Sequence, residues 1–411
     1  MSPYRWLAAL PLAAALASPA MAGPLTFAEA LDRARTAAPS LQAASLTAEA
    51  VRTLARSAGA LPDPKLGLSL ENAPVTGPNA GRLGADEMTM ARVVLQQDVP
   101  NPARRRAARV EAGAMISEAE AMRMAEARRV KLGAALAWID LAYAERQLGA
   151  VEQVLKMLAP LWDAQPSAVA SGRARPAQAL TPVAMRAALE DQRSELGAAV
   201  ARARAELTRW TGEPGPSTAG AAPSFEVDDA TLRAGLEDVP ALVASRASVT
   251  RADAAVGAAR ATKRPDLGFE VAYGRRDPMF GDMLTAGVTV SLPLWAASRQ
   301  EPRIAARRAE AASARARVED ARRALAAQFE TDWADHAMHH DQWRRTVSVV
   351  VPAAQQRADL ETASYAAGTA GLPEVLDALS ALADAKLTAL EREAMVARDS
   401  ARIVLTYGSA Q

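Results

Sequence analysis

All three histidines of the chain, His336, His339 and His340, lie in one short segment that also carries aspartates. On a helix, residues four apart share a face, so the imidazoles of His336 and His340 would lie side by side, with Asp332 one turn earlier. Imidazole and carboxylate together are a donor set for zinc, copper or nickel. The segment therefore predicts a candidate metal contact at His336, His339 and His340. A polar patch on a solvated helix is the alternative.

No group of residues, the histidine segment included, indicates catalysis. The sequence has no cysteine, no Ser/His/Asp arrangement, no glycine loop that would cradle a phosphate and no HExxH motif. We therefore expect neither an enzyme nor a cofactor. Basic and acidic residues balance at 48 against 47, which lacks the basic excess of a nucleic-acid-binding protein.

The first 22 residues have the pattern of a secretory signal peptide. Arg5 precedes the apolar run Trp6 to Ala17, and Ala20-Met21-Ala22 is a small-residue cleavage motif. We expect the mature chain to begin near Gly23 and to be exported. No later apolar stretch is long enough for a transmembrane helix, so a membrane role would fall to strands.

The rest of the chain repeats itself. Pro39-Ser40-Leu41 recurs as Pro240-Ala241-Leu242, and the segment 64–68 recurs as 265–269 at the same offset. We predict a signal peptide at 1–22, a first repeat at 23–212, a linker rich in Pro and Gly at 213–227, and a second repeat at 228–411. Each repeat would run helix, strand, strand, long helix, helix, and both would form one elongated domain.

The residue pattern of the predicted strand pairs indicates contact with a membrane. Apolar residues alternate with small or polar ones, which gives each strand one apolar face. Strands of this kind in hydrocarbon must close into a barrel, and four are too few, so several copies would have to join. Two ordinary soluble hairpins are the alternative. The clearest apolar positions, predicted to face lipid, are Leu267, Phe269, Val271, Val288, Val290 and Leu292.

The helical segments are long and rich in alanine. Two of them, 103–164 and 295–366, have sixty or more residues, and sixty helical residues span about 90 Å. Four shorter ones are predicted at about 26–61, 176–211, 228–263 and 373–407. Alanine permits close helix approach, so a narrow helical wall fits this composition better than a globular core.

The ordered set of motifs resembles the TolC family of outer-membrane efflux proteins over the whole mature chain. Its markers are the strand-to-helix prolines Pro100 and Pro293, the turn 365–369 followed by 374–378, and the closing segment 405–408. The resemblance implies a mainly α fold with a transmembrane β-barrel portion. A homotrimer would give four strands per subunit to one 12-stranded outer-membrane barrel, above a long α-helical periplasmic barrel.

The resemblance also implies partners and a gate. A periplasmic adaptor (membrane fusion) protein would join the channel to an inner-membrane transporter of the RND type, while outer-membrane lipid would surround the strands. Two acidic residues at the periplasmic tip match Glu374 and Asp377, and three copies would stack them into acidic rings that set conductance. The alternative is an ordinary helix start, where carboxylates favour the dipole.

The function that follows is an outer-membrane channel subunit of a tripartite efflux pump, a passive exit duct from the periplasm. The segments Glu71 to Gly77 and Met88 to Met90 look like the branch that accompanies heavy-metal pumps. Drug efflux and type I secretion are the alternatives for the cargo. A soluble periplasmic coiled-coil adaptor is the alternative class, and it would show flanking β-domains in place of two amphipathic hairpins.

Overall fold

A computed structural model describes residues 23–170 and 180–408. The described chain is mainly α with one small antiparallel sheet, which confirms the predicted fold class. In the part described, no helix is both long enough and apolar enough to cross a membrane. The elements are α1 (Phe27–Ala37), α2 (Pro39–Ala55), β1 (Lys65–Glu71), β2 (Met90–Val99), α3 (Pro102–Ala170), α4 (Leu180–Thr211), α5 (Asp229–Ala234), α6 (Pro240–Ala261), β3 (Asp266–Arg275), β4 (Met283–Ser291), α7 (Ala296–Arg345), α8 (Val351–Ala366) and α9 (Leu372–Tyr407).

The helical region at the start of each repeat is broken at a proline. The sequence predicts one helix from about 26 to 61 and one from about 228 to 263. The structure instead has α1 and α2 separated at Ala38, and α5 and α6 separated by a 3-10 turn, Gly235–Asp238. The cause is Pro39 and Pro240, because a proline excludes helical backbone from the residue before it. Ala38 accordingly has an extended ψ of 115°.

The helices that follow the strands are longer than any others in the described chain. Pro302 lies inside α7 without ending it. Pro352 has a larger effect, because it lacks an N–H and its ring crowds the carbonyl four residues earlier. The turn before it, Thr346–Val350, is a π-helix, and the Val351 N–H bonds the Thr346 carbonyl. Arg392 stabilises this turn by donating to the carbonyl of Gln342 at 3.1 Å and to the Thr346 hydroxyl.

The four strands form one sheet in the order β1-β2-β3-β4, with every neighbouring pair antiparallel. β2 and β3 come from different halves of the chain, and their pairing runs from Ala91 opposite Arg275 to Val99 opposite Leu267. The two predicted hairpins therefore join into a single sheet within one chain. β1 and β4 are its edges.

The described residues divide into two compact units, each built from both halves of the sequence. The first takes its described residues from 1–38, 133–225 and 338–401. Its core surrounds Trp138, whose indole N–H donates to the carbonyl of Leu25 at 2.8 Å and whose ring meets Phe27 edge-on at 5.5 Å. Gly133 is needed there, because a Cβ at that position would lie 2.3 Å from the Trp210 indole.

The second unit takes its described residues from 39–132, 226–337 and 402–411, and it includes the whole sheet. Its helical core centres on Phe329 and Tyr407, whose rings meet edge-on at 5.0 Å. The Tyr407 hydroxyl donates to buried Asp332 at 2.7 Å, and burial together with this bond raises the pKa of Tyr407. The division of the sequence into two repeats is different from this division into two compact units, and it remains a prediction.

Candidate functional site

One face of the sheet is apolar and exposed across all four strands. Strand pairing places Leu66 opposite Leu95, Leu95 opposite Val271, and Phe269 opposite Val288, so the apolar side chains form continuous rows. Twelve residues on this face are between 41% and 77% exposed in the single chain. They are Leu66, Leu68, Leu70, Val93, Leu95, Leu267, Phe269, Val271, Tyr273, Leu284, Val288 and Val290.

The opposite face of the same sheet is polar. Arg92 on β2 reaches Glu71 on β1 at 2.9 Å and Glu270 on β3 at 2.6 Å, so one guanidinium links three strands. Lys65 and Asp98 form a further cross-strand pair at 2.8 Å. The sheet therefore has a mainly apolar face, with Gln97 opposite Phe269 and Arg275 at the end of β3 as its polar positions, and a charged face on the other side.

Both edges of the sheet are open in the single chain. Among residues 23–170 and 180–408, β1 pairs only with β2, and β4 pairs only with β3. An edge strand presents unpaired N–H and C=O groups, which is a template for pairing with another chain. In hydrocarbon, each such unpaired group would cost several kcal/mol, on the order of the desolvation of a peptide group. An apolar face with open edges therefore calls for further strands from other copies.

One of the six predicted lipid-facing positions lies outside the strands. β4 ends at Ser291, so Leu292 falls in the short connection to α7, where it is 59% exposed. The physical reason is Pro293, which has no N–H for a ladder bond and restricts the residue before it. Leu294 and Trp295, the next two residues after the proline, are 72% and 67% exposed.

The predicted gate residues lie at the start of α9. The turn before it contains Gly368 in the left-handed region at φ 77°, and the Thr369 N–H and hydroxyl both donate to the carbonyl of Ser364. One face of the first turns of α9 is buried, with Leu372 and Leu376 packed against Leu158 of α3. Glu374 and Asp377 lie on the exposed side of these turns.

The two predicted gate carboxylates differ in their local surroundings. Glu374 folds back toward the helix start, so that a Cβ added at Gly371 would lie 2.6 Å from its Oε2. This is the position from which a third-residue glutamate favours a helix N-terminus. Asp377, one turn further on, is exposed. Asp384, seven residues after Asp377 on the same helix, is also exposed, and partial desolvation by its neighbours raises the pKa of its carboxyl.

The histidines lie on α7, but each has its own surroundings. His339 shares a short contact of 2.6 Å between its Nδ1 and Oδ2 of Asp399 on α9. The His336 ring lies 6.3 Å from Trp333, and the His340 ring lies 5.8 Å from Trp343.

The expected fourth donor is engaged elsewhere. Asp332 accepts from Tyr407 at 2.7 Å and from Gln328 at 3.0 Å. Within residues 23–170 and 180–408, no three His, Asp or Glu side chains are arranged to hold a metal ion. The metal contact at His336, His339 and His340 therefore stays a prediction, and the described residues do not bring three such donors together.

Two predicted features lie outside the described residues. They are the signal peptide at 1–22 and the segment 171–179 between α3 and α4, which includes Gln178, the position that matches Glu374 in the first repeat.

Comparisons with known proteins give a family match for the second half of the chain and one fold for nearly all of it. Residues 232–409 match the model of a family described as outer membrane efflux protein. Among solved structures, the open-state outer membrane channel MtrE of Neisseria gonorrhoeae is similar with a TM-score of 0.77 at 19% identity, covering 93% of this chain and 89% of that chain. The outer membrane protein VceC of Vibrio cholerae gives 0.75 at 19% identity, covering 93% and 96%.

CusC, a protein studied for transmembrane channel formation, gives a TM-score of 0.77 at 15% identity, covering 93% of this chain and 92% of that chain. At these identities the likeness establishes the fold. A comparison of the sequence with curated proteins finds no match.

Proposed function

We propose that this chain is the outer-membrane subunit of a tripartite efflux pump, because residues 232–409 match the outer membrane efflux protein family. As a homotrimer it would form a passive exit duct from the periplasm to the outside. A periplasmic adaptor would connect the duct to an inner-membrane transporter of the RND type.

The two-faced sheet with open edges carries the proposal. Twelve exposed apolar side chains on one face would be unfavourable in water, and lipid removes that cost at about 25 cal/mol per Å². The charged face, with Arg92 bridging two glutamates, would face water in the lumen. Four strands per copy close a barrel only when copies join, and three copies would supply twelve.

A passive role follows from what the sequence lacks. It has no phosphate-cradling glycine loop that would bind a nucleotide, so the energy for transport must come from a partner. In the proposed assembly, an inner-membrane transporter supplies that energy. The adaptor connects this transporter to the duct in the outer membrane.

For the cargo we propose heavy-metal cations. The support is the sequence of the first hairpin loop, Glu71 to Gly77 and Met88 to Met90, together with the exposed acidic positions Glu374 and Asp377 at the start of α9. Carboxylates near a pore attract cations. Drug efflux and type I secretion are the other cargoes that this duct would serve, because the transporter selects the substrate.

Cell fractionation tests the proposal against the periplasmic adaptor alternative. The channel should remain with the outer membrane, require detergent for extraction, and migrate in electrophoresis as a trimer that heating converts to a monomer. An adaptor would instead appear with the inner membrane or in the soluble periplasm. Recovery in either of those fractions would reject the channel assignment.

A further inference from the structure

The helix that follows β2 begins with a group of arginines. Arg105, Arg106 and Arg109, together with Pro102 and Val110, line a surface cavity of about 390 Å³. None of these five lining residues is acidic. Among residues 23–170 and 180–408, no carboxylate forms an ion pair with any of the three arginines. We call Arg105, Arg106 and Arg109 the arginine cup.

Local hydrogen bonds fix part of the arginine cup and leave its outer nitrogens available. The Nε–H of Arg105 donates to the carbonyl of Gly59 at 2.8 Å, and the Nε–H of Arg109 donates to the carbonyl of Arg105 at 3.4 Å. Gly59 permits this close approach, because a Cβ there would lie 2.5 Å from the Arg105 carbonyl oxygen. Both bonds use Nε, so the terminal Nη groups of both side chains remain for a ligand.

The arginine cup lies immediately below the exposed apolar band of the sheet. β2 ends at Val99 and α3 begins at Pro102. Arg109 is seven residues into α3, about 10 Å along the axis at 1.5 Å per residue. Helical side chains lean toward the helix N-terminus, so these guanidinium groups are directed back toward the strands.

A second observation marks the same level as a membrane interface. Trp295, between β4 and α7, is 67% exposed, and Leu294 beside it is 72% exposed. Tryptophan is typical of the layer where lipid headgroups meet water. That layer is about 5–8 Å thick on each side of the hydrocarbon. The strand-to-helix junctions, and the first turns of α3 with them, therefore coincide with the depth of lipid phosphates.

The chemistry of the arginine cup selects a phosphate. A guanidinium presents a planar fork of N–H groups that matches two phosphate oxygens. The N-terminal end of α3 adds the favourable field of its helix dipole. We propose that Arg105, Arg106 and Arg109 bind the phosphate of a phospholipid headgroup on the periplasmic side of the outer membrane. This inference rests on the proposed function, because it needs the sheet to lie in lipid.

Lipid binding to the detergent-extracted, delipidated protein tests the inference. Native mass spectrometry would measure binding of phosphatidylglycerol, of diacylglycerol, which lacks the phosphate, and of inorganic phosphate. We expect the wild type to bind phosphatidylglycerol, with an affinity that falls as salt rises, and to bind the other two at least about tenfold more weakly. The double variant Arg106→Gln, Arg109→Gln should lose about tenfold or more of the phospholipid affinity. Arg105 is left unchanged because it holds Gly59.

Two further variants make the result specific. Arg106→Lys, Arg109→Lys keeps the charges but removes the forks, so it should recover only part of the affinity. Arg317→Gln, Arg323→Gln makes the same charge change 21 and 27 residues beyond the start of α7, and should bind like the wild type. Equal lipid binding by the Gln variant and the wild type, or equal binding of diacylglycerol, would overturn the inference. Equal binding of inorganic phosphate would overturn its lipid part.

Failure of the inference and failure of the proposed function give different results. If outer-membrane trimers form but the Gln variant binds phospholipid unchanged, only the arginine cup assignment is wrong. If no membrane-embedded trimer is recovered from wild-type cells, the proposed function is wrong and the inference falls with it.

Discussion

A lysine placed on one or the other face of β4 distinguishes a sheet in lipid from a sheet in water. Val288 and Thr289 are adjacent in the middle of the strand, and both are exposed in the single chain. Val288 belongs to the apolar face, opposite Phe269, whereas Thr289 lies on the polar face, opposite Gly268. The matched variants are Val288→Lys and Thr289→Lys, which introduce the same side chain one residue apart.

The expected difference follows from depth and face. A lysine on the lipid side near the bilayer midplane of a β-barrel costs about 2–4 kcal/mol, and this falls to about 0–1 near the interfaces. Val288 is the sixth residue of a nine-residue strand, which places it near the midplane. Thr289→Lys points into the lumen and should cost within about 0.5 kcal/mol, as ordinary surface substitutions do. In a trimer, the Val288→Lys cost applies three times.

Urea unfolding in lipid vesicles, together with the yield of heat-modifiable trimer from outer membranes, measures the two variants against the wild type. Val288→Lys should lower both the free energy of unfolding and the trimer yield, while Thr289→Lys should leave both near the wild-type values. If both lysines had the same small effect, the apolar face would be in contact with water. The assignment of this face to lipid would then be refuted.

Three further predictions use other parts of the molecule. The double variant Glu374→Ala, Asp377→Ala should reduce cation selectivity and weaken block by divalent cations in planar bilayers, and unchanged currents would exclude acidic rings as the gate. Burial, followed by the charge of a nearby glutamate, raises the pKa of Tyr143 to about 12, so its contribution to stability is complete below pH about 10 and is lost as the pH rises toward 12. Tyr143→Phe should remove that part of the alkaline loss in unfolding measurements, and an identical pH profile would contradict it. Gly133→Ala should destabilise by about 1–3 kcal/mol through its clash with the indole, whereas Gly149→Ala on the same helix meets nothing within 4 Å and should stabilise by about 0.5–1 kcal/mol.

The alternation of apolar with small or polar residues predicted the strands well, because one face of each strand is apolar and the other is polar. Alternation places Leu267, Phe269 and Val271 on one face, and the pairing in the structure agrees. Local proline effects were harder to foresee, since a proline can end an element, as Pro39 does, or lie within it, as Pro302 does. Which outcome occurs depends on the packing of the neighbouring turns, which the sequence pattern does not contain.

Pairwise contacts between distant segments were beyond sequence reasoning. The sequence groups the histidines by proximity along one helix, whereas His339 is engaged by Asp399 on another helix, sixty residues away. Similarly, Arg392 meets the π-helical turn only because α9 packs beside it. Such partners are set by the register between helices, and one-dimensional spacing does not specify that register.

The most direct test of the account is a disulfide between the edge strands of neighbouring copies. The chain has no cysteine, so Ser69→Cys on β1 can be combined in turn with cysteine at Thr285, Gly287 or Thr289 on β4, all on the polar face. Within one chain, two strands separate β1 from β4, a distance of about 14 Å, which is beyond disulfide reach. We predict that one of the three pairs, oxidised in the membrane, yields a covalent trimer in denaturing electrophoresis. Monomers from all three pairs would contradict a barrel shared among copies.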